Sequence, residues 1–392
     1  MKCFTSLHSS FNPSLSLSLS RSLSLSLDKM VMRKLAVSSL FSPLLLWILF
    51  ASGHPSLVEC ASDRHHHHHR VHHANDCLAV FRPTKMFVFG DSYADTGNNP
   101  KALANSWKVP YGITFPGKPT GRYSDGRVLT DFLAAYFGMR SPIPYKWRKV
   151  GFKYVKYGMN FAFGGTGVFD TLFPQPNMTV QIDMFQQLVA DSVYTGLDLQ
   201  SSLALVTNSG NDYSTYLAKG GLYEDLPKFI IQVVNQLALD IKRIHDLGVK
   251  MIAVAGLQPL GCLPSITISD SYRTCNATAN SFVTFHNQLL QQAVTKLNNQ
   301  TRSSPAFVVV DLYTSFMSVL NDKASTKFQE PLKPCCMGTN SSYSCGSVDG
   351  SGQKQYTLCK DPKGMFFWDT FHPTQEGWRA VFSTLGRNLK QL

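Results

Sequence analysis

The stretch Lys85-Met-Phe-Val-Phe-Gly-Asp-Ser-Tyr-Ala-Asp-Thr-Gly-Asn-Asn99 decides how the rest of the chain is read. Met86 to Phe89 is a short apolar run with β-branched and aromatic members, closed by Gly90-Asp91 and then by Gly97-Asn98-Asn99. Such a run predicts a buried strand ending in a turn. Ser92 then stands just past a strand end, where open α/β sheets bind ligands because the crevice lies outside the carboxyl ends of the strands. A serine at that place is a candidate nucleophile, although a serine in a strand-to-helix turn serves equally as an N-cap.

Outward from this stretch, strands alternate with amphipathic helices. Val128, Leu129, Phe132, Leu133, Tyr136 and Phe137 recur at helical spacing and stop at Gly138. Leu203-Ala-Leu-Val-Thr207 predicts a second buried strand, ending in Asn208-Ser-Gly-Asn-Asp212. A long helix starts at Asp225 and Pro227, buries Phe229, Ile230, Val233, Val234, Leu237, Ile241 and Ile244, and stops at Gly248. A strand at Met251 to Ala255, a helix around Phe282 to Leu297, a strand at Phe307 to Asp311 and a closing helix from Thr374 to about Leu389 complete the pattern. Strands separated by helices of this length imply a three-layer α/β/α arrangement around a central, mainly parallel sheet. No repeat and no linker divides residues 84–392, which read as one domain. Phe115 to Asp125 is too rich in Pro and Gly for a helix or central strand and is expected over the sheet end near Ser92. Pro334 to Cys359 reads as an excursion before the last helix.

The chain has 392 residues, 44% hydrophobic and 16% charged, enough to bury a sizeable core. Its formal charge is +12, with lysine and arginine outnumbering acids along the whole length. The sequence shows no compact basic run and no Arg/Lys-aromatic patch of a nucleic-acid surface, so no nucleic-acid partner is expected. Residues 1–60 read as a leader: a Ser-Leu tract at Ser14 to Leu27, then Arg33-Lys34 ahead of the apolar Leu35 to Ala51. A basic segment, a short apolar segment and small residues make a secretory signal, too short and interrupted to span a membrane comfortably. Residues 61–83 carry His65 to His69, His72 and His73 and read as a solvated arm; a histidine tract of this kind also binds transition metals weakly. No later apolar run is long enough for a membrane span.

Cysteine usage agrees with secretion. Cys262, Cys275, Cys335, Cys336, Cys345 and Cys359 cluster in loop-like stretches without histidines nearby, which favours disulfides over zinc. Cys262 and Cys275 are the natural local pair, Cys335 and Cys336 share Cys345 and Cys359 between them, and Cys77 is left over. Four Asn-x-Ser/Thr sequons, at Asn177, Asn276, Asn299 and Asn340, point to surface positions on a secreted route.

A serine hydrolase needs a base for its hydroxyl, a carboxylate to orient that base, and donors for the oxyanion. From residue 84 onward only His245, His286 and His372 are available as the base. His245 suits the end of the long helix and His286 lies mid-helix, so both read as structural. His372 stands in Phe367-Trp-Asp-Thr-Phe-His-Pro-Thr374, a loop with Asp369 three residues earlier. That spacing lets one turn hold a carboxylate against Nδ1 and leave Nε2 free to face Ser92. Gly164-Gly-Thr-Gly167 can present a backbone N–H or form only a tight turn, and Asn211 offers a side-chain amide at what is commonly just a strand-end turn. The joint occurrence of Ser, Gly, Asn and Asp/His, each in a loop after an apolar run, carries the reading. Taking Asp91 and Asp95 as metal ligands of a phosphohydrolase fits less well, because their spacing is not Asp-x-Asp.

These segments resemble the plant branch of the GDSL esterase/lipase family, within the wider SGNH hydrolases, over about residues 84–390. Phe89-Gly-Asp-Ser-Tyr-Ala-Asp-Thr-Gly-Asn-Asn99 resembles its nucleophile block, Asn160-Phe-Ala-Phe-Gly-Gly165 its glycine block, and Gly210-Asn-Asp212 its asparagine block. Gly256-Leu-Gln-Pro-Leu-Gly-Cys-Leu-Pro264 resembles its plant-type fourth block and Asp369-Thr-Phe-His372 its acid-base block. Tyr93 replaces the leucine of the family name, and Gln375-Glu376 sets the acidic residue one place later than is common there. The resemblance implies a flavodoxin-like hydrolase fold and a secreted serine esterase or lipase acting on a small-molecule, lipid or polysaccharide ester. It implies Ser92 as nucleophile, His372 as general base then acid, Asp369 as its orienting carboxylate, and the Ser92 N–H, Gly165 N–H and Asn211 amide as oxyanion hole. No metal or cofactor is required. Two alternatives use the same scaffold: an extracellular acyltransferase, or a non-catalytic glycosylated binding protein.

Overall fold

The computed structural model describes residues 81–301, 305–322, 324 and 326–392. The leader, the histidine tract and Cys77 lie outside the described residues. Of the expected arm, Pro83 is buried and Phe81 packs against the core, so its last residues belong to the folded unit.

A strand apolar on both faces is stable only between two layers. β1 (Lys85–Phe89) is such a strand, with Met86 to Phe89 fully buried. It is followed by α1 (Leu129–Tyr136), the two-residue β2 (Ile143–Pro144), β3 (Gly158–Asn160), α2 (Met178–Ala190), α3 (Gly196–Gln200) and β4 (Ser202–Val206). Next come α4 (Asn211–Ala218), α5 (Leu226–Asp246), β5 (Met251–Ala255), α6 (Pro264–Thr267), α7 (Ala277–Gln300), β6 (Phe307–Val310) and α8 (Leu312–Leu320). The chain closes with β7 (Cys336–Gly338), β8 (Tyr356–Leu358), α9 (Gln375–Thr384) and α10 (Gly386–Leu389).

The first six strands form one sheet in the order β2-β3-β1-β4-β5-β6, every pairing parallel. β1 lies between β3 and β4, with Met86 beside Leu203 and Phe89 beside Val206. Its side chains alternate between the two cores, as the period of a strand requires. Phe87 and Phe89 pack with Ile182 and Phe185 of α2 and Ile230, Val233 and Leu237 of α5. Met86 and Val88 pack with Leu129 and Leu133 of α1, Phe316 of α8 and Trp378 of α9. This is the expected three-layer α/β/α domain. Because β1 has neighbours reached by connections leaving in opposite directions, its carboxyl end is the switch point at which such sheets hold ligands.

Several elements differ from the sequence expectation in extent. α7 is longer at both ends than the apolar spacing suggested, because the Asn276 side chain accepts the Ala279 N–H and caps it a turn earlier. The closing helix breaks at Leu385 into α9 and α10. Asn211 is the first residue of α4 rather than part of a turn; Gly210 before it takes φ +104°, the left-handed region open to glycine. The excursion before α9 is an antiparallel β7–β8 pair held by Cys335–Cys359 and Cys336–Cys345, which settles the pairing left open, and Cys262 is bonded to Cys275. No described helix is long and apolar enough to cross a membrane.

Candidate active site

At the carboxyl end of β1 the chain turns at Gly90, whose φ is +128° and where a Cβ would lie 2.2 Å from Thr207 Oγ1. Only glycine fits there. Gln181 of α2 clamps the same residue: the Gly90 N–H donates to its Oε1 (2.7 Å), and its Nε2 donates to the Gly90 carbonyl (2.9 Å). The N–H groups of Ala94 and Asp95 then donate to the Asp91 carbonyl at 3.0 and 2.9 Å, so Ser92 sits in one tight turn. The Asp91 carboxylate is fully buried and ties this turn to the loop after β4, accepting from the Tyr93 N–H (3.2 Å), Thr207 Oγ1 (3.1 Å) and Ser209 Oγ (2.6 Å). Burial pushes its pKa up, against the pull of those donors. Asp95 is likewise buried and accepts from the N–H groups of Gly97, Asn98 and Gly164; burial raises it to about 6 although these donors oppose the shift. The two aspartates therefore brace loops. Among the described residues no cluster of three His, Cys, Asp or Glu side chains is placed to hold a metal ion.

The second half of the site is the turn between the excursion and α9. The Trp368 N–H donates to the His372 carbonyl (2.7 Å), closing the turn, and Asp369 Oδ1 accepts from the N–H groups of Phe371 (2.8 Å) and His372 (2.9 Å). His372 Nδ1 lies 2.8 and 2.9 Å from the two Asp369 oxygens, and its Nε2 lies 2.8 Å from Ser92 Oγ. Ser92, Asp369 and His372 are only 7, 6 and 9% exposed. Burial works to raise the Asp369 pKa, yet the His372 charge and the hydrogen bonds from His372, Tyr111 and the Phe371 N–H outweigh it and hold the carboxyl below the usual range. His286 is elsewhere: its Nδ1 meets the Tyr213 hydroxyl at 2.6 Å, and burial pulls its pKa down to about 3. His245 packs on Phe307.

Three tyrosines complete the surroundings, and sequence reasoning gave a role to none. Tyr111, 4% exposed, donates its hydroxyl to Asp369 Oδ2 at 2.7 Å. Tyr123, at the end of the Pro/Gly-rich loop, lays its ring 5.0 Å from the His372 ring, and Ser124 donates to the Pro373 carbonyl (3.0 Å), so that loop lies where it was expected. Tyr93, the departure from the family leucine, donates to the Phe371 carbonyl (2.9 Å) and packs on Trp378. Tyr111 stands 258 residues from Asp369, and no local pattern could have announced the contact.

In the glycine loop, Gly165 takes φ +88°, and a Cβ there would meet the Phe173 ring at 2.7 Å. The N–H groups of Ser92 and Gly165 have no acceptor among the described residues. Asn211 Nδ2 donates to the Thr166 carbonyl at 2.9 Å and lies 3.5 Å from Asp91 Oδ2, between the glycine loop and the serine turn. One amide hydrogen is thus firmly engaged and the other makes only the long bond to Asp91 Oδ2. Asp212 beside it accepts from the N–H groups of Val168 and Phe169 (3.1 and 3.0 Å), pinning the glycine loop to α4.

Of the sequons, Asn276, Asn299 and Asn340 are exposed. Asn177 is half-buried, caps α2 through Val180 N–H and donates its Nδ2 to Asp170.

The sequence matches the family model described as GDSL-like Lipase/Acylhydrolase over residues 86–385. It is 56% identical over 321 residues to a GDSL esterase/lipase of Arabidopsis thaliana, covering 80% of this chain and 89% of the relative. A second from the same plant is 55% identical over 327 residues, covering 82% and 92%. Acetylajmalan esterase 2 of Rauvolfia serpentina is 29% identical over 342 residues, covering 80% and 92%.

Proposed function

The chain belongs to the GDSL-like lipase/acylhydrolase family and is a carboxylic ester hydrolase, and on that premise we propose that it works through Ser92, His372 and Asp369 by way of an acyl-enzyme. Ser92 Oγ attacks the ester carbonyl carbon while His372 Nε2 takes its proton, and the carbonyl oxygen becomes an oxyanion. The N–H groups of Ser92 and Gly165 and the second Asn211 amide hydrogen receive that charge. As the tetrahedral species collapses, the carbon–oxygen bond to the alcohol breaks and the alcohol leaves with the proton held on His372. A water then gives a proton to His372 and attacks the acyl carbon, and collapse returns the proton to Ser92 and frees the acid. Asp369 stays ionised throughout, fixing the imidazole tautomer and stabilising the imidazolium.

One observation carries the reading: an unbroken hydrogen-bonded path from Ser92 Oγ through both imidazole nitrogens to a buried carboxylate. Ser92→Ala is expected to abolish hydrolysis of a soluble ester, and a fluorophosphonate is expected to label Ser92 in the wild type alone. Hydrolysis that survives the substitution would remove Ser92 from its role. We further place the enzyme on the secretory route, supported by the leader at residues 1–60, three disulfides and exposed sequons. Glycan mass at Asn276, Asn299 and Asn340, with least at the engaged Asn177, is the expected outcome of peptide mapping; a glycan-free protein from the plant cell wall would contradict it.

A further inference from the structure

The expectation of a charge spread evenly along the chain misses one segment. Residues 140–157 (Arg-Ser-Pro-Ile-Pro-Tyr-Lys-Trp-Arg-Lys-Val-Gly-Phe-Lys-Tyr-Val-Lys-Tyr) hold Arg140, Lys146, Arg148, Lys149, Lys153 and Lys156 and no carboxylate. None of these six is in an ion pair among the described residues. The segment contains the edge strand β2 and its crossover to β3, so it forms one border of the sheet. Its crossover returns through Val150 and Phe152 to the amino end of β3, and it starts at the carboxyl end of β2, the end of the parallel sheet that carries Ser92. Lys146 fastens it there: its N–H donates to Asn98 Oδ1 and its Nζ to the Asn99 carbonyl, while Asn99 donates to the Tyr123 hydroxyl.

The aromatic rings of this border are mostly occupied by its own cations. Arg148 covers Tyr145 at 3.8 Å, Lys153 lies 5.1 Å from Tyr154, and Lys156 lies 5.2 Å from Tyr157. They are therefore poor platforms for stacking a base or a sugar. What protrudes without a partner is apolar: Val150 is 81% exposed and Phe152 77%. At the start of the segment Lys146 shares the Trp107 ring with Lys101, at 5.1 and 5.0 Å, two like charges on one indole, and Leu103 is 70% exposed. Burial and then the charge of Lys101 lower the Lys146 pKa. An anion shared by the two lysines would remove that repulsion.

We propose that this border is a docking surface for a bilayer carrying anionic lipid headgroups, with Val150 and Phe152 entering the apolar layer and the surrounding cations meeting the phosphates. Exposed aliphatic and aromatic tips ringed by lysine and arginine match the two attractions such a membrane offers, apolar burial and surface potential.

The test is sedimentation of the full secreted protein, and in parallel its Ser92→Ala form, with vesicles of phosphatidylcholine alone or with phosphatidylserine added. Binding is read independently of catalysis, so a failed nucleophile assignment leaves the outcome interpretable. Wild type and Ser92→Ala are expected to sediment with the anionic vesicles, less so in high salt, and little with neutral ones. Lys149→Gln with Lys153→Gln is expected to lower partitioning by roughly 25-fold, about five-fold for each charge brought to the surface. Val150→Asp with Phe152→Asp is expected to abolish it while hydrolysis of a soluble ester persists, showing an intact fold. Failure of the wild type to bind anionic vesicles, or equal binding by either double variant, overturns the proposal. Retention on polygalacturonate without vesicle binding would also overturn it and assign the border to an acidic polysaccharide.

Discussion

Replacing Tyr111 with Phe removes a single oxygen, the one that donates to Asp369 Oδ2 at 2.7 Å in a buried setting. The ring itself is packed against Trp368 and the cysteines of the β7–β8 excursion, so Phe fills the same space. A hydrogen bond to a charged group contributes about 1.5–3 kcal/mol, and about 1.4 kcal/mol is tenfold in rate. Asp369 keeps its bonds from Phe371, His372 N–H and His372 Nδ1, so what is lost is part of the carboxylate's positioning; that places the expected fall at the lower end, about tenfold in kcat/KM, larger than any gain from a more basic carboxylate. The sign of the pH effect follows from charge. Tyr111 draws negative charge from the carboxylate and helps hold the Asp369 pKa down. Without it the carboxylate is more basic and stabilises the His372 imidazolium more strongly. The acid limb of kcat/KM, which reports the base in the free enzyme, should therefore move to higher pH. Steady-state hydrolysis of one soluble ester across pH, with melting curves for both proteins, reads this directly. A variant with wild-type kcat and an unmoved acid limb would refute the assignment of Tyr111 to the carboxylate. A fall in activity that tracks only a lower Tm would reduce Tyr111 to packing.

Asn211→Ala is expected to lower kcat by about 10²–10³ with little change in KM, the loss of one oxyanion donor; a kcat within tenfold of wild type would take Asn211 out of the hole. Cys336→Ser with Cys345→Ser is expected to cost about 2 kcal/mol or more of stability and to lower activity as well, because Cys336 N–H donates to the Trp368 carbonyl one residue before Asp369. Unchanged Tm and rate in full reductant would contradict this. Asp240 of α5 is raised to about 7 by burial, so its contribution to stability is fully present below the unfolded carboxyl pKa and fades as pH rises toward 7. Asp240→Asn should accordingly raise Tm at pH 8 by about 2–4 °C and leave it unchanged at pH 4; equal Tm values at pH 8 would show that the buried carboxylate costs nothing.

The parts of the fold that were legible are those with a local signal. β5 coincides with the apolar run Met251 to Ala255, and α5 runs from its Pro227 start to the stop at Gly248, because strand and helix periods are printed in consecutive side chains. α2 is poorly legible although Met178, Ile182, Phe185 and Leu188 recur at helical spacing, because its polar members and the nearby glycine turns mask the period. β2 has two residues, one of them proline, and exists only because β3 offers it an edge. Asp369 and His372 were legible as a pair because one turn carries both, and their side chains are hydrogen-bonded. Tyr111, by contrast, reaches Asp369 only through the packing of the whole chain. The basic border escaped notice because its cations are diluted by aromatics along the sequence and become a surface only when β2 is placed at the sheet's edge.

His372 arrives after every strand of the main sheet, on a turn sewn to Cys335 and Cys336 by hydrogen bonds from their N–H groups to the carbonyls of Phe367 and Trp368. During synthesis the serine turn and all six strands of the main sheet are thus made before the residue proposed as the base. On the proposed assignment the nascent chain lacks its general base until this closing turn is made, so the onset of activity is set by the end of the domain and not by the nucleophile.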